Sequence, residues 1–353
     1  MGTAVEVTTN IGCQVQCKFC PQDVSMTNYA TKNELDTIKF GNPVLMSYED
    51  FKILLKKIPI DITVRFSGFS EPFLNPQCAK MIEYAYTNGY TVELFSTLVG
   101  MKLEDIDILS KIKLKKFVIH LADVEKFAKI GVTQNYKDLL KKIVSLSIEN
   151  TFFMTMGTIP NDVREIIGFD VKASEMVDIA GHSEFGRKTD RVDGPILCTQ
   201  DKTMTNTLRD NILLPNGEVL LCCKDWAQDY VLGNLLNCEY EDLFQSSKYN
   251  EIIQKMQSEN ENILCRNCEF AASSNKIKQL QEQYAQLSID PTDSISTKLN
   301  DMYEYYLERP IDPEGLIYFY THIKSEKITY HEIEKQLKES AEYKTLPKKL
   351  TNN

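Results

Sequence analysis

Parallel β/α units, continued by a hairpin-and-helix region and closed by a helical C-terminal unit, form the α/β fold that three observations predict. Between residue 5 and about residue 180, short β-prone runs alternate with amphipathic stretches, a pattern of parallel strands joined by helical crossovers. Around Leu213 to Leu221 the step Asn216-Gly217 stands between two apolar runs, which is a hairpin signature. From about residue 296 onward, apolar residues recur at helical spacing. The length of 353 residues is enough for roughly two to three domains.

Taken in order, the strand candidates are Ala4 to Thr9, Ile62 to Ser67, Thr91 to Ser96, Lys116 to Leu121, Phe152 to Met156 and Met176 to Ile179. Helical patterns fill the gaps at Tyr48 to Lys57, Gln77 to Thr87, Leu103 to Lys111 and Tyr136 to Glu149. After the hairpin a helix is predicted near Tyr240 to Met256, and a polar helix from Ala271 to Leu287. Ser288 to Asp293, with its Asp290-Pro291 step, reads as a linker. In the terminal unit Thr329 reads as an N-cap before an amphipathic helix. No fixed-period repeat or low-complexity tract is present.

Charge and hydropathy narrow the function classes. Forty Lys and Arg stand against 50 Asp and Glu, a formal charge of -10, and no dense basic block occurs, so nucleic acid is not an expected partner. No apolar run reaches the roughly 18 residues of a membrane span, and no basic, signal-like segment opens the chain. Glu6 stands where a myristoylation site would have Ser or Thr. The expected compartment is the cytoplasm. Ten cysteines in a reducing compartment point to metal ligands or reactive thiols rather than disulfides.

Those cysteines form two stations, with Cys78 between them as a buried helix thiol. The first reads Cys13-Gln-Val-Gln-Cys17-Lys-Phe-Cys20, just after a predicted strand and the turn residues Asn10 and Gly12. Three thiolates on one loop cap three corners of a four-iron cluster and leave the fourth iron open to a substrate or cofactor. A zinc site is the alternative, but it would need a fourth ligand nearby. The segment resembles the signature of the radical S-adenosylmethionine (SAM) superfamily, with Phe19 in its aromatic place. The resemblance implies a partial (β/α)6 TIM-like barrel over residues 1–185. It also implies that Cys13, Cys17 and Cys20 ligate a 4Fe-4S cluster whose open iron binds SAM, and that one electron from this cluster cleaves SAM to a 5′-deoxyadenosyl radical. Arg65-Phe-Ser67-Gly68-Phe69-Ser70-Glu71-Pro72 resembles the family's glycine-glycine-glutamate region, placing Ser67, Gly68 and Glu71 at the SAM amino group. Ser96 and Thr97 fall where family members contact ribose or carboxylate, and Arg187, in Gly181 to Arg187, is the cationic contact that the likeness suggests.

The second station holds Cys198, Cys222, Cys265 and Cys268, with Cys223 and Cys238 beside them. Four thiols complete one closed cluster or one tetrahedral zinc. Their order around a hairpin and a helix resembles the twitch domain, the shortened form of the SPASM domain, and implies one auxiliary 4Fe-4S cluster over residues 186–287. Neighbours in a strand point to opposite faces, so Cys222 and Cys223 do not share one metal, and either fits as the ligand. The last part, residues 296–348, resembles a small helical domain attached to bacterial surface-glycan enzymes, its pattern including Tyr303, Leu307, Arg309-Pro310, Asp312, Gly315 and Ser340-Ala-Glu342-Tyr343.

Together the resemblances imply a radical SAM oxidoreductase or epimerase that takes a hydrogen from a carbohydrate-like substrate, a sugar or cyclitol, in surface-glycan or secondary-metabolite synthesis. Cys223 and Cys238 are candidate hydrogen donors for epimerisation. The expected partners are a small-molecule or glycan substrate and a reductant such as flavodoxin or ferredoxin. Two alternatives stand beside this reading: a peptide-modifying radical SAM enzyme and a zinc-stapled scaffold without catalysis.

Overall fold

The structure, a computed structural model, describes residues 4–39, 42–199, 208–290, 293–307, 311–345 and 348–349. Pro291 of the expected linker and the Arg309-Pro310 turn lie outside them. Five strands follow one another across a parallel sheet: β1 (Ala4–Val7), β2 (Thr63–Phe66), β3 (Val92–Ser96), β4 (Lys116–His120) and β5 (Thr151–Met154). Each lies within or at the edge of a run that the sequence marks as β-prone. The crossovers carry α1 (Gln22–Lys32), α2 (Tyr48–Leu55), α3 (Cys78–Thr87), α4 (Leu103–Leu109), α5 (Gln134–Leu146) and α6 (Asn161–Ile167). Ser47 and Thr133 cap α2 and α5 through the backbone N–H groups of Asp50 and Tyr136.

Alternation along the strands separates two faces. Val5, Val7, Val64, Phe66, Val92, Leu94, Phe117, Ile119 and Phe153 belong to the core formed with the helices. The opposite face carries a row set by register, in which Glu6 lies beside Arg65, Arg65 beside Glu93 and Glu93 beside Lys116. Charged residues at the centres of apolar strands need partners there, since burying a lone charge is costly.

Met176 to Ile179 is not a strand. Val177 makes only an isolated bridge to Arg187, and Ile179 and Ala180 have φ of 53° and 54°, so the chain turns where extended backbone was expected. The sixth parallel strand comes from farther along: β6 (Asp210–Leu213) pairs with β1, from Ala4 beside Asp210 to Val7 beside Leu213. Antiparallel β7 (Glu218–Leu220) and β8 (Val231–Asn234) then extend the sheet. The expected hairpin is therefore present at Asn216-Gly217, where Gly217 has φ of 85°, but it is part of the main sheet.

Beyond the hairpin the expected single helix is divided. A 3-10 turn at Tyr240–Gln245 and α7 (Ser247–Gln257) meet at Ser246, whose extended backbone and hydroxyl cap the second piece through Tyr249 N–H. Ala271–Ser273 pairs antiparallel with Ile196–Cys198, so the predicted helix begins only at α8 (Ser274–Gln286). Helices α9 (Ser294–Leu307), α10 (Pro313–Lys324) and α11 (Tyr330–Glu339) share a separate core that includes Leu299, Tyr303, Leu316, Phe319, Ile333 and Leu337. Asp312 caps α10, and Thr329 caps α11 in a reciprocal box with Glu332. Lys348–Lys349 runs antiparallel to β5 at the other edge of the sheet.

Candidate functional site

The loop that leaves β1 gathers the first three thiols. Gly12, with φ of 109°, turns the chain against Ile38 and Pro43, and Cys13 is buried directly after it. Cys17 and Cys20, both free thiols, lie half-buried farther along the same loop. Burial pushes Cys13 up to about 11, and the neighbouring Cys20 thiol together with burial raises Cys17. A positive metal core reverses that preference by deprotonating its thiol ligands. Three free thiols on one short loop supply the donor set of a thiolate-ligated cluster with one open iron. Phe19 stacks on His120 with centroids 5.8 Å apart and 25° between planes. The half-buried His120 imidazole, its Nε2 atom enclosed, is lowered to about 4 by desolvation and is neutral at pH 7.

The Ser67–Pro72 segment is stapled to this loop. Asn10 donates to Glu71 O at 2.8 Å, Thr9 Oγ1 donates to Pro72 O at 2.9 Å, and Gln22 bonds to Phe69 O. Gly68 has φ of 73°, and a Cβ there would stand 2.2 Å from Thr8 Oγ1. Ser67 Oγ and Gly68 N–H both donate to Glu6. The Glu71 carboxylate is buried and accepts from Ser96 Oγ at 2.7 Å, Thr97 Oγ1 at 2.6 Å, Thr97 N–H and Phe73 N–H. Burial raises its pKa in spite of those donors. Glu71, Ser96 and Thr97, predicted separately from the sequence, thus form one bonded group at the end of β3, beside Cys13.

On the sheet face opposite the helices, Arg65 pairs with Glu6 at 2.9 Å, with Glu93 at 2.8 Å and with Asp210 at 3.5 Å. Lys115 adds a contact to Glu93 at 3.0 Å. Arg65 and Lys116 also lie over the Phe95 ring. This charged, aromatic floor was not identified from the sequence. Its signal was a single charge at the centre of each otherwise apolar run, in Val-Glu-Val, Val-Arg-Phe and Val-Glu-Leu.

Asp210 leads from that floor to the second station. One cavity is lined by Cys198, Cys222, Cys265 and Cys268 together with Arg209, Asp210, Lys224 and apolar side chains. Its wall contains the four thiols assigned from the sequence, and the donor chemistry fits a thiolate-bound iron-sulfur group. Residues 206–269 match the SPASM family, an iron-sulfur cluster-binding domain. The chain carries a SPASM domain. Cys198 enters it from the strand just upstream of the match. Among solved structures, BtrN in complex with AdoMet and 2-DOIA is similar at 14% identity and TM-score 0.50, over 76% of this chain and 93% of that one. Streptococcus suis SuiB bound to precursor peptide SuiA is similar at 12% and 0.51, over 79% of this chain and 74% of that one. These are radical SAM structures, and the likeness is one of fold. No curated protein matches the sequence.

Within the SPASM domain Cys222 and Cys223 diverge. Cys222 lines the cavity; Cys223 is half-buried and faces away from it, where the charges of Glu6, Lys224, Asp210 and Arg65 act on it. The Cys238 thiol donates to Asn234 O at 3.3 Å beside Gly233, in the turn after β8. Arg187 lies half exposed on the exit loop, its guanidinium 3.2 Å from Glu175. Cys78 is buried in the core on α3, as expected.

The SPASM domain has two supports that sequence reasoning missed. Arg266, between Cys265 and Cys268, is completely buried and donates to the carbonyls of Glu261, Val192, Gly194, Lys255 and Ser258. Trp226 stacks on Phe69 with centroids 4.4 Å apart, and Gln228 donates to Ser25 on α1. The segment after Cys223 thereby rests on the same loop and helix that frame the first three thiols.

Proposed function

We propose that the chain is a radical SAM oxidoreductase acting on a small, polar, carbohydrate-like molecule. Its three parts are a partial barrel over residues 1–185, an auxiliary-cluster unit over 186–287 and a helical unit over 296–348. The observation that carries the reading is the position of Asp210, which lines the four-thiol cavity and also pairs with Arg65 on the charged floor. A redox centre in that cavity borders the face to which the Cys13 loop is joined through Phe19 and His120.

Cys13, Cys17 and Cys20 would hold the SAM-binding cluster, and Cys198, Cys222, Cys265 and Cys268 the auxiliary one. When bound, the first cluster supplies the electron that cleaves SAM, and the second accepts one from the substrate. Glu71, its buried carboxylate held by Ser96 and Thr97, would fix the backbone of the Ser67–Pro72 segment, whose Ser67 and Gly68 form the wall at the SAM amino group. Glu6, Arg65, Glu93 and Asp210 present charged oxygen and nitrogen atoms that suit hydroxyl and amino groups. Cys223, beside those charges, is the better-placed hydrogen donor if the outcome is epimerisation. A flavodoxin or ferredoxin supplies electrons. A second reading, a peptide substrate, is favoured by the likeness to SuiB, which was solved with a precursor peptide.

The test is purification without oxygen, measurement of iron, sulfide and zinc, and an assay of 5′-deoxyadenosine with dithionite and SAM. The expected result is about eight irons per chain with SAM cleavage. In the triple variant C13A/C17A/C20A, about four irons remain and cleavage is lost. Zinc without iron, and no cleavage, overturns the proposal and leaves the scaffold reading.

A further inference from the structure

Two charged residues from separate loops meet beside the four-thiol cavity. Lys224, two residues after Cys222, and Glu269, directly after Cys268, approach to 2.5 Å with side chains only 13% and 14% exposed. The other Glu269 carboxylate oxygen lies 3.5 Å from the Cys268 sulfur. Phe270 N–H points at that sulfur from 3.5 Å, and Lys224 itself lines the cavity. Solvent and salt weakly screen charges at such depth. An exposed ion pair contributes little; here Lys224 is part of the cavity wall and Glu269 stands beside the Cys268 sulfur.

We infer that the Lys224–Glu269 pair sets the reduction potential of the auxiliary cluster by placing balanced, fixed charges beside the Cys268 sulfur. The inference rests on the proposed assignment of the four thiols as cluster ligands. Cluster potentials respond to net charge, to hydrogen bonds at the sulfurs and to solvent exposure. With both partners present their charges oppose each other. Without the lysine, a bare carboxylate faces the sulfur and disfavours an added electron; without the glutamate, a bare ammonium favours it. Lys224 and Glu269 are therefore positioning residues that act on the cluster electrostatically and from opposite directions.

The test is an EPR-monitored redox titration of the full-length holoprotein, with iron and sulfide measured first. K224Q is expected to lower the auxiliary potential and E269Q to raise it, each by a tenfold change in the reduced-to-oxidised ratio at fixed potential, about 59 mV for a one-electron couple. K224R keeps the charge and is expected to keep the wild-type potential, and K224Q/E269Q returns toward it. Unchanged potentials at full iron content, or shifts of the same sign in K224Q and E269Q, overturn the inference. If K224Q loses its iron, E269Q alone decides, since only an upward shift sustains the pair's role. Wild-type protein with no iron in the cavity sinks the ligand assignment instead, so the two failures are told apart.

Discussion

Gly68 shows how strictly a single position holds the loop beside the first cysteines. Its positive φ and the 2.2 Å approach that a Cβ would make to Thr8 Oγ1 exclude any side chain without rearrangement. G68A is expected to lose roughly 2 kcal/mol of stability, read as a lower chemical-denaturation midpoint; an unchanged midpoint would mean that Thr8 yields freely. His120 sets an acid limit. Burial lowers it to about 4 from an ordinary 6.5, so between those values the unfolded chain takes a proton that the folded chain refuses. Stability therefore falls as pH drops through that window, by about 1.4 kcal/mol per pH unit from this group. Denaturation of H120F and wild type at several pH values between 4.5 and 7 isolates the slope, which the variant lacks. At this scale the cysteines were legible because their spacing is local; the alternation expected to separate Cys222 from Cys223 does not apply, since the strand ends at Leu220 and both lie in the turn after it. Arg266, Asn10 and Gln22 were not, because each acts on carbonyls supplied by distant segments.

Whole elements were readable where pattern and packing agree. β1 to β5 combine β-prone composition with helical crossovers between them, so chain order alone gives their parallel order. α1 was missed because its buried positions include Gln22 and Ser25, leaving no clean apolar stripe. Met176 to Ile179 misled for the opposite reason: its branched residues favour extended backbone, yet Ile179 adopts a left-handed conformation. Around Cys265 to Cys268 one guanidinium organises the turn. R266L leaves five carbonyls without their donor, at a cost of about 3 kcal/mol or more. The expected outcome is loss of the cavity's iron, about four per chain, with the Cys13 station still loaded. Full iron retention would show that the thiols hold their places unaided.

Across the molecule, the contacts of Trp226 and Gln228 bind the SPASM domain to the loop and helix of the first station, whereas α9 to α11 enclose a core of their own. Because Trp226 is the only tryptophan, its fluorescence reports on the joined part. Denaturant titration is expected to give one fluorescence transition, while far-UV circular dichroism shows an additional one from the terminal helices. Coincident single transitions in both would place all elements in one cooperative unit. The parallel pairing of β1 with β6 was beyond the reach of sequence patterns, since nothing local to either strand names its partner. That pairing also sets a timetable for the nascent chain. The partner of Ala4 is Asp210, roughly 200 positions later, and a ribosome adding about 5–20 residues per second needs about 10–40 seconds to deliver it. Throughout that interval β1 offers one bare edge to whatever lies nearby, so translation that stalls before the hairpin releases a sticky chain.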